Sequence, residues 1–242
     1  MNPSPKATAM TAVIARNVLI VGASRGLGLE FVRQYRADGA RVTATARAED
    51  GLAAIAALGA KPLKLDVADA ASAAGLAWQV DGEAFDTVFY VAGVYGPRST
   101  GLEPPSVDDF DAVMHTNVLG AMRVLPSVAE ALAPPAGGRP GARIGVLSSR
   151  MGSIGLRQGI AGWTYRASKA AVNSVLKDAS IGLAGRALCV ALHPGWVRTE
   201  MGGAGADLDA AQSVAGMRRT LAELDASSNG GFLNYDGTPL AW

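Results

Sequence analysis

The run Asn17–Ala23 (NVLIVGA) leads into Gly22-Ala-Ser-Arg-Gly26-Leu-Gly28, and Leu27 to Asp38 then carries Leu27, Phe31 and Tyr35 with charges between them. A short, continuously apolar run reads as a strand buried on both faces, and apolar residues four apart read as one face of a helix. Gly39 stops that helix. A strand, a turn with three glycines and a helix admit few folds, because the helix carries the chain back across the sheet so that the next strand lies parallel.

The alternation continues to the end of the chain. Arg41–Ala46, Pro62–Leu65, Thr87–Ala92, Ala142–Ser148 and Ala187–Leu192 read as strands, with a short last one near Phe232–Asn234. Helices are expected over Glu49–Leu58, Ala68–Gln79, Thr164–Leu183 and about Leu208–Leu224. Ser106 caps a further helical region, with Asp109 three residues on, that runs with a bend to Leu132, and Pro134–Gly141 is a loop. The 242 residues fit one domain or two. No linker interrupts the alternation, so the expectation is an α/β fold: a Rossmann-like, doubly wound parallel sheet forming a single domain over residues 17–242. Residues 1–16 read as a flexible tail.

Composition removes several function classes. The 22 basic and 21 acidic residues leave a net charge of +1, which disfavours a nucleic acid or an anionic membrane as partner. No apolar run reaches the roughly 18 residues of a membrane span. Met1–Arg16, with Pro3 and Pro5, does not read as a secretory signal, so a cytoplasmic location is expected. One cysteine excludes an internal disulfide, and two histidines supply a metal centre poorly. Cys189, His115 and His193 read as structural.

The glycine turn suits a dinucleotide. Missing side chains let the backbone turn tightly and approach a pyrophosphate, which the N–H groups of the helix start can hold. The spacing is G-x-x-x-G-x-G, unlike the common G-x-G-x-x-G. The ribose is usually read at the end of the second strand, where a carboxylate would hold a 2′-hydroxyl. Here Arg47 follows Ala46, and Arg25 lies in the turn. Two guanidiniums suit a 2′-phosphate, so NADP(H) is expected to be preferred over NAD(H).

Tyr165 and Lys169 stand four apart, on one face of a helix. An ammonium beside a phenol favours the phenolate, which would bring the tyrosine's proton into useful range for a carbonyl oxygen. Such pairs are common on exposed helices; the context here is Ser148-Ser149 at the end of the fifth strand, where open α/β sheets bind ligands.

Taken together, Gly22/Gly26/Gly28, Asp66-Val67, Ala92-Gly93, Asn117, Ser149, Tyr165/Lys169 and Pro194-Gly195 resemble the short-chain dehydrogenase/reductase family over about Asn17 to Trp242. SSRMGSIG, YRASKAAVN, HPGWVRTEMGG and NGGFLNYDGTPLAW resemble its branch of sniffer-type carbonyl reductases and bacterial C-signal proteins. The resemblance implies Tyr165 as general acid/base, Lys169 lowering its pKa and binding the nicotinamide ribose, and Ser149 positioning the carbonyl. Ser149 rather than Ser148 fits the family's S-x-x-G spacing to Gly152. Asn117 would support a water in a proton relay. The cofactor would be lined by Gly22, Ser24, Arg25, Gly26, Leu27, Gly28, Arg47, Asp66, Val67, Ala92, Gly93, Tyr165, Lys169, Pro194, Gly195, Val197 and Thr199, with Asp66 and Val67 at the adenine.

The chain departs from the family in three places. Val21 precedes the first glycine where threonine is frequent, Val91 replaces the asparagine of Asn-Ala-Gly, and the stretch from Ser149 to Tyr165 is about three residues longer than usual. Val94, Tyr95, Ile154, Trp163, Trp196 and Met201, with Ser149, are candidates for the substrate wall. They are mostly apolar, so a ketone, aldehyde or quinone-like carbonyl is expected. The same residues would serve an alcohol dehydrogenase, and a nucleotide-binding signalling protein with secondary catalysis is the alternative from another class. The family implies a homodimer or homotetramer.

Overall fold

The computed structural model describes residues 15–136 and 141–242. Seven strands form one parallel sheet in the order β3-β2-β1-β4-β5-β6-β7. They are β1 (Asn17–Val21), β2 (Arg41–Ala46), β3 (Lys61–Lys64), β4 (Thr87–Tyr90), β5 (Ala142–Leu147), β6 (Ala187–His193) and β7 (Gly231–Asn234). The helices are α1 (Gly26–Ala37), α2 (Glu49–Ala57), α3 (Ala70–Ala74), α4 (Leu76–Gln79), α5 (Val107–Met114), α6 (Gly120–Val128), α7 (Trp163–Gly182) and α8 (Ala210–Ala222). This is the expected single Rossmann-like domain.

The strands are apolar throughout because both faces of the sheet are covered. Val18 and Ile20 of β1 join Phe31, Val32 and Tyr35 of α1, Ile55 of α2 and Met217 of α8 in one core. Leu19 and Val21 point the other way, into a core with Leu76 of α4, Val124 of α6 and Leu176 of α7. On the first face the Phe31 and Phe89 rings lie 4.1 Å apart.

The strand order reverses between β1 and β4, which splays the connections to either side and opens a crevice at their carboxyl ends. Four strands end one or two residues before their apolar runs do, at Val21, Lys64, Tyr90 and Leu147, yet the chain stays tied to its neighbours: Ala23 donates its N–H to the Thr45 carbonyl at 2.7 Å, Leu65 to Ala46 at 3.0 Å and Ser148 to Leu192 at 2.8 Å. After β4 the backbone remains tied, since Val91 and Ala92 both donate their N–H to the Val21 carbonyl at 2.8 and 3.0 Å. This tie braces the sheet next to the position where Val91 lacks an amide side chain.

Two expected helices are divided. The one over Ala68–Gln79 splits at Gly75, and its first half begins at Ala70 because the Asp69 carboxylate accepts from the Ala71 and Ser72 N–H groups. The region after Ser106 is divided where His115–Leu119 forms a π turn between α5 and α6, and a 3-10 turn, Ala129–Ala131, follows α6. Of the expected tail, residues 1–14 lie outside the described residues. Arg16 is held, with its N–H on Asp86 Oδ2 at 2.7 Å and its carbonyl taking the Arg41 N–H. Residues 137–140 of the expected loop also lie outside them. Among the described residues no helix is long and apolar enough to cross a membrane, and no group of three or more His, Cys, Asp or Glu could hold a metal ion.

Candidate active site

The glycine turn is built by close approach. Gly22 has φ +89°, and a Cβ there would lie 2.7 Å from the Ala92 Cα. A Cβ on Gly28 would lie 2.0 Å from the Gly22 carbonyl oxygen, so only glycine lets α1 start this close to β1. Thr45 Oγ1 takes the Gly22 N–H at 3.0 Å. The start of α1 has no side-chain cap and no acidic residue in its first turn. Its first N–H groups therefore have no side-chain partner from the cap residue, and a Cβ on Gly26 would meet only the Thr199 methyl, at 3.8 Å. An uncapped helix start in front of a glycine cradle fits the pyrophosphate of a dinucleotide.

The other expected cofactor residues divide. Ser24, Arg25, Gly26 and Arg47 are exposed, and Leu27, Asp66, Ala92, Gly93, Pro194, Gly195 and Thr199 are half-buried. Val67 and Val197 are only 5% exposed, and the Val67 side chain packs in the core beneath the sheet. Arg25 does not simply join Arg47. Its Nη1 pairs with Glu200 Oε2 at 2.6 Å, tying the glycine turn to the loop after β6. Both side chains are about three-quarters exposed, and such a pair contributes roughly 0–1 kcal/mol, little enough for a phosphate to displace. In that loop Pro194 accepts from Ser213 Oγ at 2.6 Å, and Gly195, with φ +80°, leaves room for Leu208. Thr199 Oγ1 accepts the Gly202 N–H at 3.2 Å, which turns its methyl toward Gly26.

Across the crevice Asn117, Ser149, Tyr165 and Lys169 are all buried, with exposures of 0, 8, 8 and 4%. Ser148 is committed elsewhere, since its hydroxyl donates to Asn173 Oδ1 at 2.5 Å. Ser149 instead lies beside the Tyr165 phenol, and its Oγ accepts the Met151 N–H at 3.1 Å. Gly152 packs against the Lys169 backbone, where a Cβ would lie 2.7 Å from the carbonyl carbon. Lys169 Nζ donates to the Leu147 carbonyl at 2.9 Å and lies 5.6 Å from the Tyr165 ring centroid. A Cβ on Gly93 would stand 3.4 Å from that same nitrogen.

Burial governs both titrating groups. It raises the Tyr165 phenol well above its ordinary value, against the opposing influence of the Ser149 hydroxyl. It pushes the Lys169 amine down to about 8. In the protein alone desolvation outweighs every other influence on Tyr165.

Asn117 sits in the π turn, and its amide is a clamp. Oδ1 accepts the Val94 N–H at 2.8 Å, while Nδ2 donates to the Val94 carbonyl and to Ser168 Oγ, both at 2.9 Å. Both amide hydrogens are thus spent on protein atoms.

The substrate candidates separate as well. Val94 and Tyr95 stand at the site, the Tyr95 ring stacking on Tyr165 at 4.6 Å between centroids and 21° between planes. Trp163 lines a cavity of about 400 Å³ with Pro97, Arg98, Pro104 and Pro105. Ile154 is 71% exposed, and Trp196 and Met201, also exposed, lie in the loop after β6. His193 is half-buried, and burial with the nearby Arg150 pushes its imidazole down to about 4. Cys189 is fully buried in β6, with its thiol pushed up to about 12. His115, expected to be structural, is exposed on the π turn. The sequence reading missed Arg98, whose Nη2 donates to the Met201 carbonyl at 2.9 Å.

Comparison with known proteins agrees with this geometry. Residues 16–207 match the family described as short chain dehydrogenase. C-signal of Myxococcus xanthus is 40% identical over 129 residues, covering 52% of this chain and 74% of that protein. The carbonyl reductase Sniffer of D. melanogaster superposes with a TM-score of 0.82 at 30% identity, over 94% of this chain and 99% of that one. An NADPH-bound carbonyl reductase from chicken fatty liver gives 0.81 at 31% identity, over the same shares of the two chains. With its glycine cradle, its buried Ser149–Tyr165–Lys169 group and these likenesses, the chain belongs to the short-chain dehydrogenase/reductase family, and it is an oxidoreductase of the branch that holds C-signal and the sniffer-type carbonyl reductases.

Proposed function

We propose that the protein is an NADPH-dependent reductase of a ketone, aldehyde or quinone-like carbonyl, with Tyr165 as proton donor. The observation that carries this reading is the burial of Ser149, Tyr165 and Lys169 together at the end of β5, facing an uncapped, glycine-lined helix start. NADPH, when bound there, supplies the hydride.

The chain's own residues supply the rest. The Ser149 and Tyr165 hydroxyls hold the substrate's carbonyl oxygen from one side. Burial keeps Tyr165 protonated at neutral pH, so it is an acid ready to neutralise the developing alkoxide. Lys169 in its ammonium form, 5.6 Å from the ring centroid, stabilises the phenolate left behind. Asn117 holds Val94, and so the wall beside the reacting carbon, in one place. Arg47, with Arg25 released from Glu200, favours the 2′-phosphate of NADPH, in line with the NADPH-bound chicken reductase. The same residues in reverse would oxidise an alcohol. Assembly as a homodimer or homotetramer rests on the family resemblance.

A second reading, a nucleotide-binding signalling protein, draws on the likeness to C-signal. Tyr165→Phe separates the two. Carbonyl-dependent NADPH oxidation should fall at least about 100-fold, within the range for a lost general acid, while NADPH still binds in a fluorescence titration. Full activity in the variant overturns the assignment of Tyr165 as proton donor, and absence of carbonyl-dependent oxidation in the unsubstituted protein overturns the reductase reading.

A further inference from the structure

We propose that Tyr95 is a positioning residue for Tyr165, and that Arg98 fixes Tyr95 by strapping the segment after β4 to the loop after β6. The inference rests on the reading of Tyr165 as proton donor.

Residues 94–99 are held at successive points by different parts of the fold. Val94 is clamped through both its N–H and its carbonyl by Asn117. Gly96, with φ +76°, packs so closely on α5 that a Cβ would lie 2.4 Å from a Val113 methyl. The Ser99 carbonyl takes the Gly162 N–H at 2.9 Å. Between these anchors the Tyr95 ring lies against Tyr165, and its hydroxyl fills the space beside Gly162, where a Cβ would stand 2.4 Å away. Gly162, with φ +67°, is also the residue from which α7 starts, two positions before Thr164 and three before Tyr165.

Arg98 completes the arrangement from outside. Its guanidinium carbon lies 5.0 Å from the Tyr95 centroid, and its Nη2 holds the Met201 carbonyl. Three layers result: guanidinium, Tyr95 ring, Tyr165 ring. An aromatic face between a cation and a second ring is attracted to both. The outer layer is anchored to a loop 103 residues away in sequence. Tyr95 therefore limits where the Tyr165 phenol can swing and keeps water off one of its faces. The polar groups facing Tyr165 are Tyr95 from this segment, Ser149 from the end of β5 and Lys169 from its own helix. Tyr95 and burial act in the same direction on the phenol's proton affinity.

The test uses Tyr95→Ala, Tyr95→Phe, Arg98→Gln and the Tyr95→Ala/Arg98→Gln double variant. Carbonyl kcat/KM is measured at saturating NADPH across pH, with NADPH affinity as the control for folding. Tyr95→Ala should lower kcat/KM by about 10- to 100-fold, as expected when a reacting group loses its alignment. The limb at which activity falls with rising pH should move to lower pH, because water then reaches the phenol. Tyr95→Phe should recover most of the loss, since the ring and not its hydroxyl makes the stack. Arg98→Gln should cost less, and the double variant no more than Tyr95→Ala, because Arg98 acts through Tyr95. An unmoved limb, additive losses, or Tyr95→Phe as damaging as Tyr95→Ala overturns the proposal while leaving the reductase reading intact. Absence of carbonyl reduction in the unsubstituted protein overturns both.

Discussion

Replacing Lys169 with Met should make the cofactor-free protein more stable at neutral pH while removing its chemistry. Burial pushes this amine from its ordinary 10.5 down to about 8. Above 10.5 the folded and unfolded chains both carry a neutral amine, and its titration contributes nothing to stability. As the pH falls toward 8 the unfolded chain takes up the proton first, which draws the equilibrium toward unfolding. Below about 8 both states are protonated and the full penalty stands. With these two values the penalty is about 3 kcal/mol at pH 7 and about 1 kcal/mol at pH 10. The variant also loses the hydrogen bond from Nζ to the Leu147 carbonyl, about 1 kcal/mol, but that loss changes little with pH. The change between the two pH values therefore isolates the buried charge. Urea unfolding of both proteins, without cofactor, at pH 7 and pH 10 is the assay. The stability of Lys169→Met relative to the parent should be about 2.5 kcal/mol more favourable at pH 7 than at pH 10. A difference that stays constant between the two, or grows with pH, refutes the argument that Lys169 is held against a desolvation cost.

Two further outcomes follow from the cofactor side of the crevice. Arg47→Ala should weaken NADPH binding by about 10-fold or more and leave NADH within about 3-fold, read by fluorescence titration with each nucleotide; equal losses would sink the assignment of Arg47 to a 2′-phosphate. Gly28→Ala sets a Cβ 2.0 Å from the Gly22 carbonyl oxygen, so backbone must move. It should cost at least about 2 kcal/mol in chemical denaturation and abolish nucleotide binding, and a variant of unchanged stability would show that the turn has slack.

The features legible in the sequence are those set by local spacing. The G-x-x-x-G-x-G turn follows a buried strand, Tyr165 and Lys169 are four apart on one helix, and Ser149 rather than Ser148 faces Tyr165 because Ser148 is spent on Asn173. The seven strands were also legible, since burial on both faces leaves them apolar throughout. Their ends were not. Ala23, Ala92 and Ser148 are as compatible with a strand as their neighbours, and each still donates its N–H to a carbonyl of the adjacent strand, so no residue type marks where the ladder stops. Contacts across long stretches of chain left no local trace either. The Tyr95–Tyr165 stack joins residues 70 apart, and Arg98 meets Met201 through a backbone carbonyl, which any residue type could offer.

The π turn at His115–Leu119 makes chain length a working part of the site. A π turn carries one residue more than the α-helical turn it replaces. Removing one residue from this stretch would let α5 and α6 fuse into a continuous α-helix with every backbone bond made, so local energetics alone would welcome it. The two halves would stay nearly in phase, because a π turn spends its additional residue on about the same angular advance as the α turn that would replace it. With α6 seated by Val124, Leu125 and Val128 in the core, α5 could keep its place as well, and the loss would fall on the turn itself, where Asn117 grips Val94. Insertions and deletions here are accordingly a different kind of change from those in the loops at either end of the helical region. They leave the course of the helices almost untouched and act on the placement of one side chain.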